Sequence, residues 1–483
     1  MSTTDSPAAQ STSPAGPPGK RTVLVTGASG YIGGQLVPAL LEDFTVRVLT
    51  RSPDGVERHA WRDEVDVVVG DASRPEDLRR ALDRVDVAYY LIHSMEADTT
   101  GFEERDRAAA TLFAEEAERA GVQRLVYLGG LHPRDERLSP HLRSRVEIGR
   151  IFLDSSVPAA CLQAAVILGD GSASFEMLRY LTSRLPAMVT PSWVDNPVQP
   201  IAAEDAIRCL RAAADLPSGV NRTFDIAGPD VLSYRQLMQT FAEVTGRRRR
   251  LILPLPVLTP GLASLWVGLI TPVDAALARP LVGSLIHPAV AHESDLDEYL
   301  GGPCQIGVDE AIRTAMRDAR PDTGPRNLAL CTAAVVATAA AGTAVTDPES
   351  QWYRRLDKPA WQPPKAAFPI AWTSLYALIA GTSAAHLTTL ERQGRTEEAT
   401  AYRTALGANL VLNAGWSALF FGLGRLPLAS AEAILLTASS ADLARRAGPP
   451  RPGGRGLLSP YAAGCAFATA LTADITRRNR RKS

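Results

Sequence analysis

A glycine-rich turn near residue 30 has the spacing of a phosphate-binding site. Thr26-Gly27-Ala28-Ser29-Gly30-Tyr31-Ile32-Gly33 follows a short β-branched run and precedes an apolar segment with helical character. Three glycines at this spacing allow a tight turn, close approach of a pyrophosphate to the backbone, and close packing of a helix on a strand. The N-terminus of that helix would point at the phosphates. The sequence therefore predicts a dinucleotide site formed by Thr26, Gly27, Ser29, Gly30, Tyr31, Ile32 and Gly33.

The ends of the next two predicted strands bear on which dinucleotide binds. The second strand ends at Thr50-Arg51, where an NAD site usually has Asp or Glu for the ribose hydroxyl. Arg51 can pair with a 2′-phosphate, which favours NADP(H) over NAD(H); a solvent-exposed arginine without a ligand is the alternative. Asp71 and Ala72 follow the third strand, where a carboxylate can accept a hydrogen bond from the adenine amino group.

The segments around this turn alternate between strands and helices, which predicts an α/β fold with a doubly wound parallel sheet. Residues 21–325 would form this domain, ending in a small substrate or cap region. Residues 1–20 are rich in Ser, Thr, Pro and Ala, and we expect a disordered tail that lacks the features of a secretory signal. The apolar, proline-rich residues 251–291 would form a helical cap on this domain or contact the membrane interface.

Further motifs resemble the extended and atypical short-chain dehydrogenase/reductase superfamily, over residues 21–310. Asn196-Pro197-Val198-Gln199-Pro200-Ile201 resembles its entry into the substrate region, and Phe224-Asp225-Ile226-Ala227-Gly228-Pro229 its late strand and loop. Tyr90-Leu91-Ile92-His93-Ser94-Met95 is similar to NmrA-like and YbjT-like NAD(P)H-binding proteins. The resemblance implies a Rossmann domain with reductase chemistry.

The catalytic set of that superfamily is replaced in this chain. Its Tyr and Lys in YxxxK transfer a proton while a Ser polarises the carbonyl, but here the corresponding positions are His141 and Arg145, and the fifth strand ends without Ser. The chain has no lysine between Arg21 and Asp357. His141 is a weak candidate for a general acid, with a surface histidine as the alternative, and Arg145 could bind ribose hydroxyls. His93, at the end of the fourth strand, is a further candidate for a contact on the nicotinamide side.

The composition changes near residue 326. Residues 1–325 carry 33 basic and 43 acidic side chains, whereas residues 326–483 carry 18 and 9. Four stretches in the second part have the length and apolar character of a membrane span, and a fifth, at 426–441, is weakened by Glu432. Residues 326–483 are therefore predicted to form an all-α transmembrane bundle, rich in small residues that let helices approach closely.

Motifs in residues 328–479 resemble the TspO/MBR (translocator protein) family. Trp352-Tyr353-Arg354-Arg355-Leu356-Asp357-Lys358-Pro359-Ala360-Trp361-Gln362-Pro363-Pro364 matches its WYxxLxKPxWxPP pattern, and Asn413 to Phe421 match NxxWxxxFF. The resemblance implies a five-helix bundle that binds tetrapyrroles and sterol-like ligands, with pocket roles for Trp361, Tyr376, Asn413 and Trp416. Gly464 and Thr472 stand where that family has Trp and Asn, and the missing indole removes a stacking face for a porphyrin.

The remaining expectations concern location and partners. The protein would lie in the cytoplasmic (inner) membrane with the Rossmann domain facing the cytoplasm, although the basic residues do not decide between four and five spans. We expect the lipid bilayer, a lipophilic small molecule or quinone-like acceptor, and a homodimer through the membrane domain as partners, but no nucleic acid. The five cysteines are far apart in the sequence and suggest neither a metal site nor a disulfide framework.

Two functional hypotheses follow. The first is a membrane-tethered NADP(H)-dependent oxidoreductase that acts on a lipophilic or quinone-like acceptor, because such an acceptor manages its own protons. The second is a non-catalytic NADP(H) sensor that regulates ligand binding or transport by the helical bundle, as the missing Ser, Tyr and Lys suggest.

Overall fold

The computed structural model describes residues 19–57, 59–92, 102–133, 138–255, 271, 273, 281–319, 322–447 and 458–480. Of the predicted tail, only Gly19 and Lys20 belong to these described residues. His93 lies outside them. The chain divides into two compact units, Met1–Ala319 and Arg320–Ser483.

The first unit is built on a parallel seven-stranded sheet, which confirms the predicted fold class. Its strands run in the order β11-β6-β5-β4-β1-β2-β3, and the first crossovers lead outwards in opposite directions from β1. This reversal creates a crevice at the carboxyl edge of the sheet, beyond β1 and β4. The strands are β1 (Thr22–Thr26), β2 (Thr45–Thr50), β3 (Asp66–Val69), β4 (Val87–Tyr90), β5 (Arg124–Gly130), β6 (Ala159–Ala164) and β11 (Arg222–Ile226).

Helices cover both faces of the sheet because the strands are apolar on both sides. Val23, Val25 and Tyr89 pack into one core, and Leu24 and Tyr90 into the other. The helices are α1 (Tyr31–Leu41), α2 (Asp54–Glu57), α3 (Pro75–Leu82), α4 (Phe102–Ala120), α5 (Pro140–Leu153) and α7 (Ala203–Ala213).

A smaller region follows β6 and has its own core around Phe175, Leu237, Phe241 and Ile312. It contains three two-stranded pairs, β7–β10, β9–β12 and β8–β13. Its strands are β7 (Ile167–Leu168), β8 (Ala187–Pro191), β9 (Pro197–Val198), β10 (Ile201–Ala202), β12 (Leu232–Ser233) and β13 (Leu251–Leu255). Its helices are α6 (Ala173–Arg184), α8 (Tyr234–Val244), α9 (Asp297–Leu300) and α10 (Val308–Asp318).

The helical cap predicted from residue 251 onwards is wrong for its first five residues. Leu251–Leu255 form strand β13, which pairs in parallel with β8. The pairing joins segments more than sixty positions apart in the chain, and the proline at position 254 is tolerated because such a two-stranded pair has free edges. Residues 256–270 lie outside the described part of the chain.

The second unit is helical. Its elements are α11 (Gly324–Val345), α12 (Gln351–Arg355), α13 (Ala367–Arg392), α14 (Thr396–Ser417), α15 (Leu426–Arg446) and α16 (Ser459–Asn479), and a π-helical turn, Ala418–Gly422, follows α14. Many outward side chains are large and apolar: Ile370 is 70% exposed and Val411 72%. A soluble surface rarely shows so much apolar area, whereas a lipid-facing surface requires it.

Two described helical segments, Gly324–Val345 and Thr396–Gly422, are long and apolar enough to cross a membrane. The predicted number of four or five spans therefore stays a prediction.

All five cysteines are free and buried. Two that are distant in sequence meet in the first unit, where the Sγ atoms of Cys209 and Cys304 lie 3.6 Å apart. Among the described residues, no group of three or more His, Cys, Asp or Glu side chains could hold a metal ion.

Candidate functional site

The glycine turn joins β1 to α1 at the carboxyl edge of the sheet. Gly27 has a φ of +75°, and a Cβ there would lie 2.6 Å from the Leu91 carbonyl oxygen. A Cβ on Gly33 would clash with the carbonyl of Gly27. Gly30 is exposed, and its N–H donates to the Gly27 oxygen over 3.0 Å. The outer glycines are thus required by the backbone, while the middle one keeps the space before the helix open.

The N-terminus of α1 suits an anion. Its first turn contains no carboxylate, whereas α3, α4 and α7 each begin with two. Gly30, at the N-cap, has no side chain with which to cap the first N–H groups, which are then available to a phosphate. The residues present therefore fit the pyrophosphate of a dinucleotide.

Three of the predicted cofactor residues point their side chains elsewhere. The buried Thr26 hydroxyl donates to the Tyr89 oxygen over 2.9 Å and accepts from the Leu91 amide. The Tyr31 ring packs against Gly171, and burial raises the pKa of Tyr31 to about 12. Ile32 packs on the sheet core. Any contact of these residues with a dinucleotide would come mainly from the backbone.

Arg51 and Asp71 follow neighbouring strands beside the turn. In the sheet register, Thr26 lies beside Leu49, and Thr50 lies beside Val69. Hydrogen bonds from Ser73 lower the pKa of Asp71, with a smaller contribution from the Arg51 charge. The exposed Arg51 is therefore close enough to Asp71 to act on it, and both lie at the edge where the turn opens.

A cavity of about 260 Å³ adjoins the turn on the side of the smaller region. Tyr31 and Gln35 of α1 line it, together with Asp170, Glu204 and Thr314. Its polar lining contains acceptors suited to hydroxyl groups.

The residues that replace the expected Tyr and Lys lie on α5. Burial, with a smaller contribution from the Arg145 charge, lowers the pKa of His141 to about 3. His141 is therefore neutral near pH 7, and the protonated form that a general acid requires is disfavoured. Arg145 Nη1 donates to the Leu128 carbonyl over 3.0 Å at the end of β5.

A histidine that the sequence reasoning missed lies at the same edge. His132 follows β5, and its Nδ1 lies 2.9 Å from the Pro133 carbonyl oxygen, to which it must donate. Its Nε2 then accepts from Gln163 Nε2 of β6 over 3.3 Å. The sequence held a signal for His132, because residues that follow parallel strands meet at one edge of the sheet, whereas the family motif points to the YxxxK position on α5.

A chain of polar side chains ties the helices of the second unit together. The Tyr376 hydroxyl donates to Asn413 Oδ1 over 2.7 Å, and Asn413 Nδ2 donates to the Tyr461 hydroxyl over 3.4 Å. Tyr461 donates in turn to Asn409 Oδ1 over 2.7 Å, and Asn409 donates to Ser440 of α15. Two of the predicted pocket residues, Tyr376 and Asn413, thus bond to each other. The network to which they belong links the four helices α13, α14, α15 and α16.

The two predicted pocket tryptophans lie apart from that network. Trp361 is 46% exposed and donates to Asp474 over 3.1 Å. Trp416 stacks on Phe420, and its buried Nε1 has no hydrogen-bond partner among the described residues. The same holds for both carboxylate oxygens of Glu432, which is 8% exposed.

Helical register brings Trp416 and Glu432 to one level. Asn409 of α14 donates to Ser439 of α15 over 3.1 Å. These helices follow each other through a short connection, and Trp416 lies seven residues after Asn409, as Glu432 lies seven before Ser439. Seven residues are two turns, so both side chains lie on the facing sides. Among its described residues, the second unit thus holds an indole donor and a carboxylate acceptor, both without a hydrogen-bond partner, at a similar level along the two helices.

Comparison with known proteins assigns both units. Residues 27–164 match the NAD(P)H-binding family model, and residues 329–478 match that of the TspO/MBR family. The chain is 33% identical over 255 residues to a ceramide reductase of Caulobacter vibrioides, covering 51% of this chain and 78% of that relative. It is 34% identical over 158 residues to tryptophan-rich protein TspO of Chlorobaculum tepidum, covering 32% of this chain and 95% of that relative. The chain belongs to both families.

Among solved structures, triphenylmethane reductase of Citrobacter sp., complexed with NADP(H), matches 61% of this chain and 99% of its own, with a TM-score of 0.49 and 19% identity. Both predicted resemblances are confirmed by the family matches.

In the TspO/MBR unit, a neighbouring side chain occupies the space beside Gly464, where the family has a tryptophan. A Cβ on Gly464 would lie 2.9 Å from Leu375 Cδ1. Leu375 of α13 thus packs where the family's indole would begin. Thr472, in place of the family's Asn, donates to the Ala468 carbonyl of its own helix over 2.8 Å.

We expect Tyr461→Phe to destabilise the TspO/MBR unit by about 1–3 kcal/mol, because it leaves Asn409 Oδ1 and Asn413 Nδ2 buried without their shared partner. The midpoint of thermal unfolding of the purified protein in detergent would fall. Tyr402→Phe is the matched control, since among the described residues its hydroxyl bonds only to that of Ser383, which can turn to its own backbone. Equal midpoints for the two variants would contradict a structural role for the network.

The NAD(P)H-binding unit should lose stability in acid through His141. The pKa of His141 is about 3 in the folded unit and near 6.5 in an unfolded chain. The folded unit therefore binds fewer protons between these values, and the stabilisation is complete above about pH 6.5 and lost as the pH falls towards 3. The melting transition of this unit is identified as the one that moves to higher temperature when NADP⁺ is added. We expect His141→Gln to weaken the dependence of its melting temperature on pH below about pH 6.5, and to leave that dependence unchanged above about pH 6.5. Parallel curves for the two proteins in acid would show that His141 is not held neutral by the fold.

Proposed function

We propose that residues 21–325 form an NADP(H)-dependent reductase that acts on a carbonyl or quinone group of a lipophilic molecule. The observation that carries the proposal is the open glycine turn at the carboxyl edge of the sheet, with an uncapped helix N-terminus facing the free space. A bound nicotinamide would supply a hydride to such an acceptor. The fusion to a membrane-type unit, in the cytoplasmic membrane with the reductase on the cytoplasmic side, favours an acceptor that dissolves in lipid.

The ceramide reductase relative narrows the acceptor class. The name of that relative describes the reduction of ceramide, a lipid with hydroxyl and amide groups next to long hydrocarbon chains. The cavity lined by Tyr31, Asp170 and Glu204 offers acceptors for such hydroxyls. We therefore propose a sphingoid or ceramide-like lipid ketone as the first acceptor to test, and a quinone as the second.

A proton must reach the oxygen when hydride reaches the carbon, so that a ketone becomes an alcohol. His132 lies at the edge of β5, where members with Ser, Tyr and Lys place their Ser. Pro133 and Gln163 fix its ring. Once Gln163 turns away, Nε2 takes up a proton from water, and the imidazolium passes that proton to the oxygen and returns to its neutral form. We propose His132 as the proton donor, in place of the missing tyrosine.

The test uses the whole chain in phosphatidylcholine nanodiscs with NADPH. We expect oxidation of NADPH with a keto-sphingoid lipid or a short-chain quinone, and a lipid alcohol as the product in the first case. His132→Asn should lower kcat for the ketone about 100-fold and leave NADPH binding intact, since acid catalysis contributes 10²–10⁴. His287→Asn, in the smaller region, is the matched control.

NADPH binding without oxidation on any acceptor would overturn the reductase and support the sensor instead. The sensor has one observation in its favour: α5 offers a neutral His141 and a bonded Arg145 where the superfamily has its Tyr and Lys. In that case NADPH should change the affinity of the TspO/MBR unit for a porphyrin or sterol-like ligand. We place that ligand against Trp416 and Glu432, whose buried polar atoms have no hydrogen-bond partner in the described part of the chain.

A further inference from the structure

The β8–β13 strand pair presents an unusual outer face. Strand residues alternate in direction, and here Met188 and Ile252 enter the core while their neighbours point outwards. In the register, Leu251 lies beside Ala187 and Leu253 beside Val189. Leu251 is 58% exposed, Leu253 51% and Val189 54%. Four apolar side chains therefore form one outward patch.

Four consecutive arginines lead directly into this patch. Arg247, Arg248 and Arg249 are exposed, and Arg250 is half-buried with its backbone N–H bonded to Gln239. Of these, Arg249 lies 3.8 Å from Glu243, a distance at which exposed charges interact weakly. Most of the positive charge of the arginine run is therefore not compensated by this ion pair and lies next to the apolar patch. The rest of the sequence of this unit is acidic.

We propose that this strand pair and its arginine run dock onto an anionic phospholipid surface. Exposed leucine and valine side chains enter the boundary between head groups and acyl chains, and adjacent arginines pair with lipid phosphates. Strand β13 itself, Leu251–Leu255, contains no charged residue, which matches an apolar contact of this kind. The proposal stands independently of whether the first unit transfers hydride.

Charge complementarity selects the membrane over a second copy of the chain. A symmetric dimer would place the same patch on itself and bring one arginine run against the other. Like charges facing each other cost several kcal/mol. An anionic lipid surface instead satisfies both parts of the patch at once.

The experiment uses the full chain with one environment-sensitive label. Because all five native cysteines are buried, Val189→Cys can be labelled selectively with a nitrobenzoxadiazole dye. Val69→Cys is the matched control, being 47% exposed on β3 of the main sheet. Both proteins are reconstituted in nanodiscs of phosphatidylcholine, with or without phosphatidylglycerol, and probed with spin-labelled lipid and with aqueous iodide.

We expect phosphatidylglycerol to shift the Val189 label to shorter wavelength and to make it accessible to spin-labelled lipid, with no change at Val69. Replacing Arg247, Arg248 and Arg249 by Gln should weaken this docking roughly 100-fold, at about fivefold for each arginine. A label that stays accessible to iodide in both lipids would overturn the proposal. A shift that grows with protein concentration in detergent would overturn it in favour of self-association. NADPH binding, measured on the same samples, separates these outcomes from a failure of the reductase site.

Discussion

Gly30→Asp is expected to abolish NADPH binding while the first unit stays folded. A Cβ at this position would meet only the Gly27 carbonyl oxygen, at 3.2 Å, which a small backbone shift relieves. The carboxylate beyond it would occupy the space before α1, where the proposed phosphate site lies. The introduced carboxylate and a phosphate of NADPH in the same space would repel each other by several kcal/mol. The dissociation constant for NADPH should therefore rise at least about 100-fold.

The measurement is a titration of NADPH fluorescence with the purified chain in detergent. Gly219→Asp is the matched control, because a Cβ there meets nothing within 4 Å and the backbone is unstrained. Both variants should give the same circular dichroism and the same melting transition without nucleotide. Wild-type affinity in Gly30→Asp would mean that the dinucleotide does not use the glycine turn.

Local signals predicted the sheet well, because each parallel strand is a short apolar run that can be recognised from its own residues. The glycine spacing located the β1–α1 turn, and the alternation of apolar segments predicted the parallel sheet with its covering helices. Each of these features is decided by neighbours in sequence: an apolar run, a turn residue, a helical period. The reversal in strand order beside β1 follows from the fold family that the motifs suggested.

Features that depend on distant contacts were not predicted. The β8–β13 pair joins segments far apart in the chain, and its outward leucines looked like part of an apolar cap. His132 and Gln163 meet only because β5 and β6 are adjacent. In the second unit, the motifs identified Tyr376 and Asn413, but their bond to each other required the packing of α13 on α14. Sequence patterns therefore identified candidate functional residues, whereas the side chains that contact them were determined by the packing of distant segments.

The Arg51 position provides the sharpest test of cofactor choice. Arg51→Glu should shift the ratio of NADPH to NADH affinity by about 100-fold towards NADH, because it removes the charge-assisted bond that we propose from Arg51 to the 2′-phosphate, worth roughly 1.5–3 kcal/mol, and places a like charge beside that phosphate.

The introduced carboxylate is also the group with which NAD sites hold the ribose hydroxyls, so NADH binding should hold or improve. The readout is the ratio of the two dissociation constants from fluorescence titrations, which a general loss of folded protein does not change. Arg317→Glu, on the exposed face of α10, makes the same charge change and should leave the ratio as it is. Because Arg51 is exposed and already close to Asp71, an unchanged ratio in Arg51→Glu would mean that this arginine serves Asp71 and not the dinucleotide.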